Sequence, residues 1–178
     1  MHLIGVSTLL ISAKYEEIYP PELRDLLTVS ENKFTRDDVL AMEQDILMTL
    51  NFKVTSPSSY RFLQRFSRLS SVFADKEVFF YAQFIQEVSL LDASLLQFKP
   101  SQIAAASLIL ATKQLKDCDD AWNKEVEQMT GYSQKDLAQV VEEVRSFATE
   151  INPKFISTLK YKFSKPEYMK VAHYEFKF

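Results

Sequence analysis

Ile4-Gly5-Val6-Ser7-Thr8-Leu9-Leu10-Ile11-Ser12-Ala13-Lys14 returns later in the chain as Ile103-Ala104-Ala105-Ala106-Ser107-Leu108-Ile109-Leu110-Ala111-Thr112-Lys113, at an offset of 103 − 4 = 99. Residues 3–13 and 103–111 are apolar around the whole circumference of a helix rather than along one stripe. Each is therefore expected at the centre of a helical bundle, surrounded by other helices. Small residues, Gly5 in the first and Ala104, Ala105 and Ala106 in the second, let neighbours approach closely.

The repeat continues outward. Phe34-Thr35-Arg36-Asp37-Asp38-Val39 recurs as Tyr132-Ser133-Gln134-Lys135-Asp136-Leu137, an offset of 132 − 34 = 98. Thr35 with Asp38, and Ser133 with Asp136, read as capping boxes that start a helix in each copy. The helices that follow carry apolar residues at helical spacing, Val39, Met42, Ile46, Leu47 and Leu50 in one and Leu137, Val140, Val141 and Val144 in the other. Glu43 shares that stripe in the first copy.

The spacing predicts an all-α chain. Helices are expected over about 2–18, 21–28 and 36–51 in the first half. In the second they are expected over about 57–68, 76–95, 100–116, 120–129 and 134–150. By the offset of 99, counterparts of residues 57–100 fall before residue 1. The first repeat is thus expected to lack its opening two helices, which a longer chain or another molecule would supply. From Pro153 the helical pattern decays into a tail mixing lysines with Tyr161, Phe163, Tyr168 and Phe176. That tail is expected to lay its aromatics on the bundle and leave its lysines in water. The competing reading is a nucleic-acid arm stacking on bases.

Composition narrows the function classes. The chain has 178 residues, with 2 glycines and 6 prolines, which disfavours disorder and turn-rich β architecture. The formal net charge is −3, so no bulk electrostatic attraction to nucleic acid is expected. Cys118 is the lone cysteine, compatible with a reducing compartment. No apolar run approaches the ~18 residues of a membrane span, and no secretory leader pattern opens the chain. His2 and His173 lie far apart in sequence, and Gly5 and Gly131 cannot build a glycine-rich phosphate loop. No catalytic, cofactor or metal residues are assigned. Glu16 and Glu17, adjacent on a helix, point about 100° apart and do not face one another as an acid–base pair would.

One segment breaks the repeat. Lys14-Tyr15-Glu16-Glu17-Ile18-Tyr19-Pro20-Pro21-Glu22 occurs once, whereas Lys113 is followed by Gln114-Leu115-Lys116-Asp117. Pro20 and Pro21 must end the first central helix. Pro21 and Glu22 then suit the first turn of a short helix whose Leu23, Leu26 and Leu27 form an apolar face. Carboxylates are disfavoured at a helix C-terminus by a few tenths to ~1 kcal/mol. Two readings remain open at this point. One is plain solvation with an i,i+3 pair between Lys14 and Glu17. The other is a partner that supplies donors to the acids.

The segment from Leu9 to Glu22 resembles the signature of A/B-type mitotic cyclins, in which an A-[SC]-K-[FY]-E-E-[IM]-Y-P-P run closes the third helix of the first cyclin box. Phe34-Thr35 and Val39-Leu40-Ala41-Met42-Glu43 are similar to that family's fifth helix. Glu87-Val88-Ser89-Leu90-Leu91-Asp92 and Lys165-Pro166-Glu167-Tyr168-Met169-Lys170-Val171 are similar to runs in and after its second box. The resemblance implies tandem five-helix cyclin boxes: a truncated first box over 1–55, a complete second box over 56–152 and a C-terminal arm over 153–178. It also implies a non-catalytic subunit that forms a heterodimer with a cyclin-dependent serine/threonine kinase, activates it, and controls G2/M progression in the nucleus and cytoplasm. Neither nucleic acid nor membrane is an implied partner, and no cofactor is implied. The implied contact residues are Lys14, Glu16, Glu17, Ile18, Tyr19, Leu23, Leu26 and Leu27, with Glu17 matching the family's invariant glutamate. The family's lysine contact and its docking-patch helix would lie before Met1. A truncated adaptor unable to activate kinase, or a cyclin-fold transcription factor, are the alternatives. Arg24-Asp25-Leu26-Leu27 has the spacing of a destruction signal but falls in an expected helix, and is read as structural.

Overall fold

A computed structural model describes residues 2–118 and 121–177. Among them every regular element is helical: α1 (His2–Glu16), α2 (Leu23–Val29), α3 (Arg36–Thr49), α4 (Ser59–Phe66), α5 (Lys76–Ser89), α6 (Pro100–Lys116), α7 (Lys124–Thr130), α8 (Gln134–Glu150) and α9 (Ser157–Phe163), with short 3-10 turns at Ala93–Gln97, Pro166–Tyr168 and Val171–His173. The chain forms two compact units, Met1–Ser56 and Pro57–Phe178.

In the second unit α6 is the central helix. Pro100 at its first turn supplies a preset φ and lacks only an N–H that no carbonyl would receive. Helices α4, α5 and α8 pack against it. Ile103 through Leu108, together with Leu110, Ala111 and Thr112, are buried. Ser107 and Thr112 donate their buried hydroxyls to the Ile103 and Leu108 carbonyls one turn back, both at 2.8 Å, so burial leaves neither unsatisfied. Trp122 is buried against Phe66 and Phe73, with ring centroids 6.1 and 6.0 Å away. Its indole N–H donates to the Tyr132 carbonyl at 3.0 Å.

The first unit treats its equivalent helix differently. Only α2 and α3 pack on α1 within the unit. Ser7, Leu10 and Ala13 are its buried residues, around a small core of Leu10, Leu26 and Val39. The expectation that residues 3–13 are enclosed on all sides is not met. Leu9 is 54% exposed, whereas its counterpart Leu108 is 0% exposed. The physical reason is the number of helices available to cover the cylinder, two against three.

Both expected capping boxes form. The Asp38 N–H donates to Thr35 Oγ1 at 3.2 Å and the Thr35 N–H to Asp38 Oδ2 at 2.9 Å. The matching distances for Ser133 and Asp136 are 3.3 and 2.8 Å. In each box the hydroxyl also donates to the carboxylate, which, with the backbone N–H, holds both aspartates below the usual carboxylate range. The repeat extends to the turn before each box. Asn32 (φ 53°) and Gly131 (φ 75°) both take the left-handed conformation, at an offset of 131 − 32 = 99.

Several boundaries differ from expectation. Residues 76–95 do not form one helix: α5 stops at Ser89, and Asp92 caps the 3-10 turn by accepting from the Ser94 N–H at 2.9 Å. The helix expected over 120–129 begins at Lys124, where Asn123 accepts from the Val126 N–H. Its expected first residue, Asp120, lies outside the described residues. The tail is not an extended arm. It folds into α9 and two turns that belong to the second unit. Three of the four named aromatics pack on the bundle, with Phe163 5.2 Å and Phe176 5.3 Å from Phe84 and Tyr168 5.6 Å from Phe80, whereas Tyr161 is 72% exposed. Lys162 pairs with Glu87 at 2.7 Å.

Two tests follow from this architecture. Leu108→Ala should cost about 2–5 kcal/mol by cavity formation, whereas Leu9→Ala should cost under about 1 kcal/mol because half its surface is already wet. Urea unfolding followed by circular dichroism measures both. The second test concerns Asp75, which caps α5 and bonds Lys116 at 2.9 Å; that bond, with the cap, lowers its carboxyl pKa. A lowered native pKa stabilises above the unfolded value of roughly 4 and is lost as pH falls through the native value. Asp75→Asn, which keeps a capping oxygen, should therefore flatten the acid limb of the urea midpoint plotted against pH.

Candidate partner-binding site

The non-repeated segment forms an open corner in the first unit. The last bond of α1 runs from the Glu17 N–H to the Ala13 carbonyl at 2.9 Å. Pro20 and Pro21 offer no N–H to continue it. The chain then extends through Glu22 (φ −70°, ψ 148°), whose carbonyl accepts the Asp25 N–H at 2.9 Å and so opens α2. The helices flanking the corner are thus shorter than expected: α1 ends at Glu16, and Glu22 precedes the first turn of α2 instead of joining it.

The structure divides the eight sequence-derived contact residues into two groups. Glu16, Glu17, Ile18 and Tyr19 face solvent, with Ile18 88% and Tyr19 91% exposed. Neither Glu16 nor Glu17 has a side-chain hydrogen bond or ion pair among the described residues. The other four are engaged inside the unit. Leu26 is buried against Leu10 and Val39, and Leu23 and Leu27 are half-buried against that same core. The apolar wall expected from α2 thus turns mainly inward. Lys14 Nζ lies 2.8 Å from both carboxylate oxygens of Glu43.

The i,i+3 pair between Lys14 and Glu17, part of one of the two open readings, does not form, since the ammonium is held by α3 instead. Sequence reasoning missed Glu43 as the partner. Its signal was a charged residue on the otherwise apolar stripe of α3. Tyr15, also missed, hydrogen-bonds through its hydroxyl to Thr55 Oγ1 and ties the end of α1 to the end of the unit. The Arg24–Leu27 run lies in a helix as expected, but only Leu26 of it is buried; Arg24 is exposed and pairs with Glu22 at 2.9 Å.

The second copy shows what this corner would look like if satisfied internally. The counterpart of Glu17 is Lys116 (17 + 99 = 116), a cation at a helix C-terminus, which the dipole favours. Lys116 is bonded to Asp75 at 2.9 Å. In the first copy the dipole-disfavoured charge has no ion-pair partner among the described residues and lies beside exposed Ile18 and Tyr19. The corner offers carboxylate acceptors next to apolar surface, an arrangement suited to recognition. Among the described residues no cluster of His, Cys, Asp or Glu is placed to hold a metal ion, and none of the described helices is long and apolar enough to cross a membrane.

Comparison with known proteins agrees with this geometry. The cyclin N-terminal domain family matches residues 1–55 and the cyclin C-terminal domain family residues 57–177. The chain belongs to the cyclin family. Its curated relatives include cyclin-A1-4 of Oryza sativa subsp. japonica, 43% identical over 140 residues, a match covering 77% of this chain and 39% of the relative. G2/mitotic-specific cyclin-B of Spisula solidissima is 32% identical over 172 residues, covering 97% and 39%. The chain thus spans about two fifths of the length of these relatives. The fold is similar to that of a viral cyclin from herpesvirus saimiri, with a TM-score of 0.59 at 18% identity over 83% of this chain and 65% of that one. The two cyclin boxes account for the internal repeat, and the corner closes the α1 helix of the first.

The bridge at the base of the corner can be tested by itself. Lys14→Met leaves Glu43, 12% exposed, without its cation. We expect a loss of about 1–2 kcal/mol, held to that range by the exposure of Lys14. Adding Glu43→Leu should recover most of it, as read by urea unfolding of the single and double variants.

Proposed function

We propose that this cyclin is a non-catalytic regulatory subunit that binds and activates a cyclin-dependent serine/threonine kinase, as the A- and B-type relatives suggest, in control of the G2/M transition. The observation that carries the proposal is the solvent-facing Ile18-Tyr19 pair beside the unpaired carboxylates of Glu16 and Glu17. A kinase surface would supply hydrogen-bond donors to Glu17 and an apolar face to Ile18 and Tyr19. Lys14, Leu23, Leu26 and Leu27 would take part mainly by holding the corner in shape, since their contacts lie inside the first unit. Activation would be a population shift. A subunit that binds only the active arrangement of the kinase's mobile helix raises that arrangement's population by its differential affinity. Action in the nucleus and cytoplasm belongs to the same proposal.

The test is a pull-down and kinase assay with a purified cyclin-dependent kinase, using this 178-residue chain and an upstream-extended form. Glu17→Ala, Ile18→Ala and Tyr19→Ala should each weaken binding by about 5- to 100-fold, the range of interface hot spots. The exposed positions should leave the circular-dichroism melt unchanged. Retrieval of kinase with tagged chain from both nuclear and cytoplasmic fractions would support the location. Full activation by all three variants would remove this corner as the contact. Binding without activation in both forms would favour a cyclin-fold adaptor instead.

A further inference from the structure

The second unit carries a half-open cavity of about 440 Å³ between the turn after α4 and the start of α5. Phe73, Phe79 and Phe80 line it, with Met169 from the tail. Phe73 is fully buried, and the edges of Phe79 and Tyr168 meet Phe80 at centroid distances of 5.6 Å, so these rings are fixed in place. Arg68 and Lys76, both exposed, border the same cavity.

Neither cation has an ion-pair partner among the described residues. From Pro57 to Ala74 the chain contains Arg61, Arg65 and Arg68 and no acid. Their i, i+4, i+7 spacing puts them on one side of α4 and the turn that continues it. None forms an ion pair among the described residues. The two acids flanking Lys76 in sequence are already committed. Asp75 bonds Lys116 and caps α5, and Glu77 accepts from the Tyr174 hydroxyl at 2.7 Å. Glu167 is the one acid among the lining residues. A chain of net charge −3 thus presents a local positive rim around an aromatic depression.

We propose that this cavity docks an acidic peptide segment of a partner protein. An aromatic or aliphatic anchor on that peptide would seat against Phe79 and Phe80, while its carboxylates meet Arg68 and Lys76. Anchor burial would supply most of the affinity, and the charges would set orientation and association rate. Glu167 would steer the peptide's acids toward the arginine side. A peptide suits the site better than a nucleic acid, whose evenly charged backbone would have to pass Glu167 and an acidic molecule. The surface lies wholly in the second unit and does not depend on the kinase reading.

The test is fluorescence anisotropy on the full chain. The probe is a short labelled acidic peptide with a central Phe-Leu pair. We expect saturable binding that weakens about tenfold when Phe-Leu is replaced by Ala-Ala, and by at least as much with Arg68→Glu plus Lys76→Glu. Arg68→Gln plus Lys76→Gln should give an intermediate loss, so the result does not hinge on tolerance of reversed charge. Glu167→Gln should tighten binding, and Arg24→Glu in the first unit should leave it unchanged. The proposal is overturned by no binding up to about 1 mM, by equal binding of a lysine-substituted peptide, or by indifference to the charge variants. It is also overturned if a single-stranded oligonucleotide binds the same residues more tightly.

Discussion

A helix with no polar side must be covered on every side, and the rest of this molecule follows from how far that demand is met. In the second unit it is met. Helices α4, α5 and α8 enclose α6, and the alanines at 104 to 106 keep the enclosing helices close. Burial of that cylinder organises the aromatic cluster around Trp122 and gives the tail its anchoring surface on α5. In the first unit α1 has the same apolar character but fewer neighbours, so Leu10 and Ala13 are buried while Ile4 and Leu9 are not. One repeated sequence thus produces a closed bundle and an open one.

The same contrast underlies the proposed recognition surface. At equivalent ends of α1 and α6 the second copy places Lys116, which the helix dipole favours and Asp75 neutralises. The first copy places Glu17, which the dipole disfavours and no described residue neutralises. Beside it, Ile18 and Tyr19 remain in water. A local arrangement that is worse by its own electrostatics and hydrophobicity, within a repeat that shows the better alternative, is the kind of compromise expected where a partner completes the site. Lys14 and Tyr15 support it from below through Glu43 and Thr55.

Much of the fold was legible in the chain because its strongest signals are local. The capping boxes at Thr35 and Ser133 depend on residues three apart, and the all-round apolar character of α6 is visible without any partner. What escaped depends on tertiary partners. The inward turn of Leu26 follows from where α1 and α3 lie. The Lys14–Glu43 bridge joins residues 29 apart in sequence, whereas pattern reading considered only the nearer Glu17. The break after Ser89 comes from the Asp92 cap, which an apolar run through Leu91 concealed. Helix α9 has only 7 residues, too short for its periodicity to register. It is held by Phe163 against Phe84 and by Lys162 on Glu87.

The most direct test of the central claim is amide hydrogen exchange of the chain alone and in the presence of a purified cyclin-dependent kinase. In this account the amides of Ile18 and Tyr19 exchange freely in the isolated chain and become strongly protected by the kinase, with smaller changes in α2. Protection confined to the second unit, with residues 16–19 exchanging as before, would contradict it.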